Sequence, residues 1–285
     1  LSPAVCICLV YVLDRKTALR REIRTAVRIE IGYLIFLFVT IPCGMVFSVS
    51  ADNIYSRGPH FYIYVVMYFG AILYLSASTV ITAREFQNRS RLLIYPLILF
   101  VMAETIIQVA LPELHVTWLC VTLLSVLYFI YCSEMWNQLD ALTGLLNQNS
   151  YLKQTGGVRC KGGVLVVFDV DDFKQINDRY GHIQGDRCLA GIAECIKKSY
   201  ANFGYCYRIG GDEFCVLLKN GGNEGRCKQE FLQRLQEKRG EIAFLPTVSY
   251  GSAPFSGEDI VKVKDRADQD MYQYKKERKN RKRLS

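Results

Sequence analysis

The run VLVVFDVDDFKQINDRYGHIQGDRCLAGIAECIKK, residues 164–198, decides the fold of the C-terminal half. Its first seven residues, Val164–Val170, form a short apolar run that ends in acidic residues and reads as a central strand. A helical stretch follows through Lys198, with Leu189, Ile192, Ala193 and Ile196 on one face. Between strand and helix, Asp171, Asp172, Phe173 and Lys174 make a turn that feeds a helix N-terminus, whose free N–H groups suit an anion.

Downstream, Tyr205–Ile209 and Phe214–Leu218 are strand-like segments around Gly210, Gly211, Asp212 and Glu213. The two glycines are expected to supply positive φ in a hairpin turn and to let a ligand approach the backbone. A helix over Arg226–Lys238, a strand at Thr247–Ala253 and a helix from Asp259 to about Lys279 complete the order. That order predicts an α/β (α+β) domain with one mixed, largely antiparallel sheet. If the strands holding Asp169 and Asp212 are neighbours, their carboxylates converge at one sheet end. Such a hard oxygen site suits Mg²⁺ (or Mn²⁺), which keeps waters and takes substrate phosphates as its other ligands. Lys174 and Lys275 add positive charge for a triphosphate.

Upstream the character of the chain changes. The whole has 285 residues, 51% of them hydrophobic, a mean hydropathy of +0.11 and 22% charged residues. These values imply two unlike halves and exclude a disordered chain, a collagen-like repeat and a small disulfide scaffold. Apolar runs at Ile31–Ser50, Phe61–Thr82, Leu92–Leu111 and Val116–Cys132 approach the ~20 residues that a membrane helix needs. A shorter run, Ala4–Leu13, is expected to be the tail of a helix that begins upstream, with a signal peptide as the alternative. Loops 14–28 and 84–91 are rich in Lys and Arg, whereas 52–60 and 111–115 are poor, and this alternation places the rich loops in the cytoplasm. Counting on, the last span exits there too. Glu104 and Gln108 lie one turn apart inside a span, which suits a ligand or proton sensor or an interhelical hydrogen bond. The expected organisation is therefore a lipid-embedded helical bundle over 1–132, a connecting helix over 133–141 and a soluble domain over 140–285.

FDVDDFKQINDRYGHIQGD (168–186) followed by RIGGDEF (208–214) resembles the GGDEF family, the diguanylate cyclases. LTGLLN at 142–147 after Asp140, SYGSA at 249–253 and ADQDMYQYKK at 267–276 match its remaining motifs in order. The resemblance implies a palm-like fold and the condensation of two GTP to cyclic di-GMP with release of two pyrophosphates. It further implies an obligatory homodimer, in which each subunit's 3′-hydroxyl attacks the other's α-phosphate. Asp169, Asp212 and the backbone carbonyl of Val170 would hold the metals, and Glu213 would ligate a second ion or help deprotonate the hydroxyl. Gly210 and Gly211 would let the substrate lie against the hairpin. The backbone of Asp172 and Phe173, with Lys174, Lys275 and Lys279, would hold the phosphates. Asn177 and Asp186 would read guanine, because buried hydrogen-bonding groups reject a base that leaves them unpaired.

The chain also departs from the family. The positions of its R-x-x-D product-binding motif are Ala201, Asn202, Phe203 and Gly204, so that route of feedback is absent. The Arg that usually follows the L-T-G-L-x-N motif is Gln148, and the common G-R-N reads Arg278, Lys279, Asn280. Lys279 keeps a charge but loses the bidentate geometry of Arg. The basic run Lys275 to Arg283 suits a solvated or membrane-facing tail better than a nucleic-acid site. None of the eleven cysteines forms a C-x-x-C pair, so they are expected to be packing residues. The leading expectation is a multi-pass protein of a bacterial inner membrane with a cytoplasmic catalytic domain. A catalytically silent GTP-binding or interaction module is the alternative.

Overall fold

A computed structural model describes residues 4, 6, 8–10, 20–51, 55–85, 94–111, 117–156, 162–219 and 221–284. Most of loop 84–91 and of the segment 111–115, and the side chains of Gln108 and Lys279, lie outside the described residues. The chain divides into two compact units, Leu1–Trp136 and Asn137–Ser285.

The first unit contains α1 (Arg20–Thr40), α2 (Phe61–Glu85), α3 (Ile94–Ala110) and α4 (Thr117–Asn137). Among the described residues, three helices are long and apolar enough to cross a membrane: Arg24–Cys43, Phe61–Arg84 and Leu119–Asn137. The described part of α3 has 17 residues, a rise of ~25 Å. The first expected span, Ile31–Ser50, is corrected. Its helix ends at Thr40, a 3-10 turn follows over Ile41–Cys43, and Gly44 closes that turn at φ 60° with its N–H on the Ile41 carbonyl. Phe47–Val49 (β1) then pairs antiparallel with Tyr55–Arg57 (β2). Pro42 and the left-handed Gly44 stop the helix, a signal that apolar content alone does not carry. Tyr68, Ile72 and Leu75 of α2 and Leu124, Tyr128 and Met135 of α4 share one buried cluster. Tyr68 donates to the buried Glu104 carboxylate at 3.4 Å, which is the interhelical bond among the sequence alternatives for that residue.

The second unit begins where α4 ends, at Asn137, four residues short of the expected limit of a connecting helix. Leu139 and Leu146 form an isolated bridge instead of a further turn of helix. The unit carries α5 (Gln148–Thr155), β3 (Gly163–Val170), α6 (Phe173–Tyr180), α7 (His182–Tyr200), β4 (Gly204–Arg208), β5 (Glu213–Leu218), α8 (Glu224–Glu241), β6 (Val248–Phe255) and α9 (Ile260–Leu284). The sheet order is β4-β5-β3-β6 with every neighbouring pair antiparallel, and a parallel bridge from Leu146 to Tyr207 makes it mixed.

The continuous apolar run of β3 follows from cover on both faces. Val164, Val166, Phe168 and Val170 join the four expected α7 residues, with Phe231 and Leu235 of α8, in one core. Leu165 and Val167 face the other way, toward Tyr151, Tyr207, Val263 and Ala267. Phe168 is edge-on to Phe231 at 5.1 Å and to Tyr200 at 5.7 Å, an arrangement favoured by the ring quadrupoles. Cys188, Cys195, Cys206, Cys215 and Cys227 are buried free thiols, as packing residues would be.

Candidate active site

The antiparallel register brings the acidic residues together. Asp169 on β3 lies opposite Glu213 on β5 and opposite Ser249 on β6. One residue further on, the Val170 N–H donates to the Asp212 carbonyl at 3.2 Å. Asp169, Val170, Asp212 and Glu213 therefore occupy one end of two adjacent strands. These are hard oxygen donors. Among the described residues no group of three His, Cys, Asp or Glu side chains closes on one point. The donors fit a magnesium ion completed by the Val170 carbonyl, substrate phosphates and water, the usual manner of Mg²⁺.

Gly210 and Gly211 are corrected in one respect. Neither adopts a positive φ; the hairpin is closed by the Ile209 and Gly210 N–H groups on the Glu213 carbonyl, at 3.0 and 3.3 Å. A methyl on Gly210 would crowd the Glu213 side chain at 3.2 Å, whereas one on Gly211 would meet nothing within 4 Å. At Gly210 the missing side chain leaves room for Glu213, and at Gly211 the surroundings are open. The Arg208 guanidinium holds the Gly211 carbonyl at 2.7 Å and the Asp140 carboxylate at 3.0 Å. Burial raises the Asp140 pKa, but the Thr143 hydrogen bonds and Arg208 outweigh it and hold the carboxyl below its ordinary value. The motif around Asp140 thus fixes the outer edge of the hairpin.

On the other side, the turn after β3 is the only non-glycine positive φ among the described residues: Asp172, at φ 53°, precedes α6. Such a left-handed residue costs ~1–2 kcal/mol, so neighbouring structure must hold it. Asp171, 8% exposed, does the holding. Its N–H donates to the Thr247 carbonyl, and its carboxylate accepts from the Thr247 and Ser249 hydroxyls, each at 2.7 Å. Phe173 is half-buried against the core, and Lys174 is exposed.

α9 supplies the cations. It lies directly against β6 because Gly251 has no side chain; a methyl there would collide with the Met271 nitrogen and the Ala267 carbonyl. One turn beyond Met271, Lys275 reaches Asp169 at 2.5 Å and Asp171 at 3.4 Å. Burial would lower the Lys275 pKa, but the bond to Asp169 and the field of both aspartates outweigh it and keep the ammonium charged. Arg278 follows at i+3 and donates to Asp171 at 3.2 Å and to the Val248 carbonyl at 3.3 Å.

The two residues expected to read guanine are also neighbours. The Asn177 Oδ1 rests where a Cβ of Gly185 would stand, beside Asp186 on α7. That oxygen is buried with no hydrogen-bond partner, while Asp186 is exposed. An orphaned buried acceptor fits a site completed by a ligand. Sequence reasoning missed Asp171, Arg278 and Arg208. The i, i+3 spacing of Lys275 and Arg278 on one helix, opposite an Asp-x-Asp strand end, was the available signal.

The sequence profile described as diguanylate cyclase, GGDEF domain, matches residues 137–281, just over half of the chain. The diguanylate cyclase DgcP of Pseudomonas aeruginosa is 35% identical over 159 residues, 50% of this chain and 23% of that one. DgcS of Shewanella oneidensis is 32% identical over 154 residues, 51% of this chain and 52% of its own. The chain thus spans about half, or less, of the length of these relatives. Among solved structures, the GGDEF domain of DgcB from Caulobacter crescentus in complex with c-di-GMP is 26% identical over 49% of this chain and 90% of that one, with a TM-score of 0.41. The matched profile and the gathering of its motif residues at one sheet end lead to one conclusion: the chain belongs to the diguanylate cyclase GGDEF domain family.

Proposed function

We propose that this protein condenses two GTP molecules to cyclic di-GMP with release of two pyrophosphates, as a homodimer anchored in a bacterial inner membrane. The observation that carries the reading is the register of β3 and β5, which sets Asp169 opposite Glu213 and beside Asp212. In this reading Asp169, Asp212, Glu213 and the Val170 carbonyl hold the divalent metal. When bound, the metal neutralises charge on the transferring phosphoryl group. Lys174, Lys275, Lys279 and the Asp172–Phe173 turn hold the β- and γ-phosphates. Asn177 and Asp186 select guanine through its donor pattern, and the open side of Gly211 leaves room for the nucleotide. Glu213, exposed at the start of β5, lies where it can take the proton of the 3′-hydroxyl. That hydroxyl attacks the α-phosphate of the GTP held by the second subunit, and pyrophosphate leaves.

The N-terminal unit serves as the membrane region in this reading, supported by its three long apolar helices and by the alternation of basic and neutral segments along the sequence. The alternation counts α3 as a further span and places the catalytic unit in the cytoplasm. The membrane region regulates turnover through the way paired subunits align.

The test is incubation of the full chain in lipid nanodiscs with Mg²⁺ and GTP, with product read by mass spectrometry. Cyclic di-GMP from the wild type, and none from a folded Asp212→Ala variant, is the expected result. GTP binding without any cyclic product would instead establish a silent nucleotide-binding module.

A further inference from the structure

The end of β3 and the facing turn of α9 carry a balanced set of charges. Asp169 and Asp171 are the anions, and Lys275 and Arg278 are the cations. The pairing is unequal. Lys275 touches both aspartates, whereas Arg278 touches Asp171 and the Val248 carbonyl, and its recorded contacts all run through Nη1. Asp171 is the deeper of the two acids, with its side chain 9% exposed against 20% for Asp169.

Binding of a triphosphate by Lys275 requires that lysine to leave its carboxylates. Asp169 then faces the metal, but without Arg278 the buried Asp171 carboxylate would be held by two hydroxyls alone, and removal of a partner from a buried ion pair is strongly unfavourable. We propose that Arg278 is a positioning residue, the standing counter-ion of Asp171, which releases Lys275 to the nucleotide while keeping the Asp171–Asp172 turn in place. This role rests on the nucleotide reading above.

The experiment measures the affinity of the full chain in nanodiscs for the non-hydrolysable probe guanosine 5′-(α,β-methylene)triphosphate with Mg²⁺, by calorimetry. The wild type is read first. Absence of binding there overturns the nucleotide reading and this inference with it; binding there makes the variants a test of Arg278 alone. Arg278→Gly is expected to weaken binding by about tenfold, the scale of one hydrogen bond to a charged group, and Arg278→Lys to restore most of it. In an Asp171→Asn background, where no anion needs compensation, the Arg278→Gly penalty should shrink to about twofold or less. Should Asp171→Asn not fold, Lys275→Met serves as the second background, because without the mobile lysine the same penalty should vanish. An undiminished penalty in either background makes Arg278 a direct phosphate ligand and overturns the inference, as does full affinity in Arg278→Gly.

Discussion

Two carboxylates of this chain are buried to nearly the same depth, Glu30 at 5% exposure and Asp171 at 8%, in opposite surroundings. Asp171, in the C-terminal unit, accepts two hydroxyl hydrogen bonds and faces Lys275 and Arg278. Glu30, on α1 of the N-terminal unit, has no hydrogen-bond partner for either oxygen among the described residues. The difference lies in what the local sequence offers. A strand end that meets a Ser/Thr-bearing strand and a basic helix can surround an anion, whereas an apolar helix face offers a partner only where a residue such as Tyr68 reaches it, as at Glu104. Burial alone therefore says little about what an acid contributes; the partner count decides its sign.

The contrast breaks most directly at Asp171. Asp171→Ala removes the anion from a buried network and should cost the C-terminal unit ~3–5 kcal/mol, read by denaturant unfolding followed through hydrogen exchange of β3 and β6. Both tryptophans, Trp118 and Trp136, lie on α4, so their emission should keep its wild-type transition. A C-terminal unit left as stable as the wild type would put Asp171 in the same class as Glu30. Next in size is Gly251→Ala, which pushes α9 off β6 and should cost ~1–3 kcal/mol. Because α9 carries Lys275, the same variant should also weaken nucleotide binding, a loss that simple thermal softening remote from the site would not bring.

Asp140 tests the comparison by pH. Its folded carboxyl titrates below the ordinary value of 3.8, so its ionised form is the one that folding favours. That contribution is fully present above the ordinary value and is lost as pH falls through the lower folded one. Acid should therefore release Arg208 and the Gly211 carbonyl from the Asp140 loop before the rest of the sheet gives way. Protection of the 209–213 turn against hydrogen exchange, relative to the intrinsic rate at each pH, should fall as pH drops below the ordinary carboxyl value of 3.8. Asp140→Asn should show fast exchange there at every pH. A turn whose protection holds unchanged until the whole sheet unfolds in acid sinks this assignment.

The acids at the sheet end and the strand order are legible because the motif residues and the continuous apolar run of β3 both report on the backbone. Val164 to Val170 could be assigned to a central strand from seven letters, and Asp169 with Asp212 followed once the hairpin was recognised. Asp171 was not legible, since its meaning depends on Thr247, Ser249 and Arg278, which lie 76, 78 and 107 residues away. Gly210 and Gly211 were misread for the opposite reason. A local rule about turn glycines predicts positive φ at both, whereas a side chain would crowd Glu213 at Gly210 and meet open space at Gly211. In the N-terminal unit, hydropathy located the helices but overran the first by ten residues, because the stop at Pro42 and Gly44 is stereochemical and not hydrophobic.

At Glu30 the expected effect has the opposite sign, and that sign carries the comparison. If a buried acid without partners is a net cost, Glu30→Leu should stabilise the N-terminal unit, by ~1–3 kcal/mol on the scale of an unpaired polar group taken from an apolar site. The helix position favours the exchange as well, since Leu ranks among the better helix formers. Thermal unfolding in nanodiscs, followed by the emission of Trp118 and Trp136, reads this unit separately from the C-terminal one, which has no tryptophan. An upward shift of that transition with an unchanged C-terminal unit sharpens the contrast with Asp171→Ala. A downward shift would mean that Glu30 has a stabilising partner in the folded bundle, and the two acids would then obey one rule instead of two.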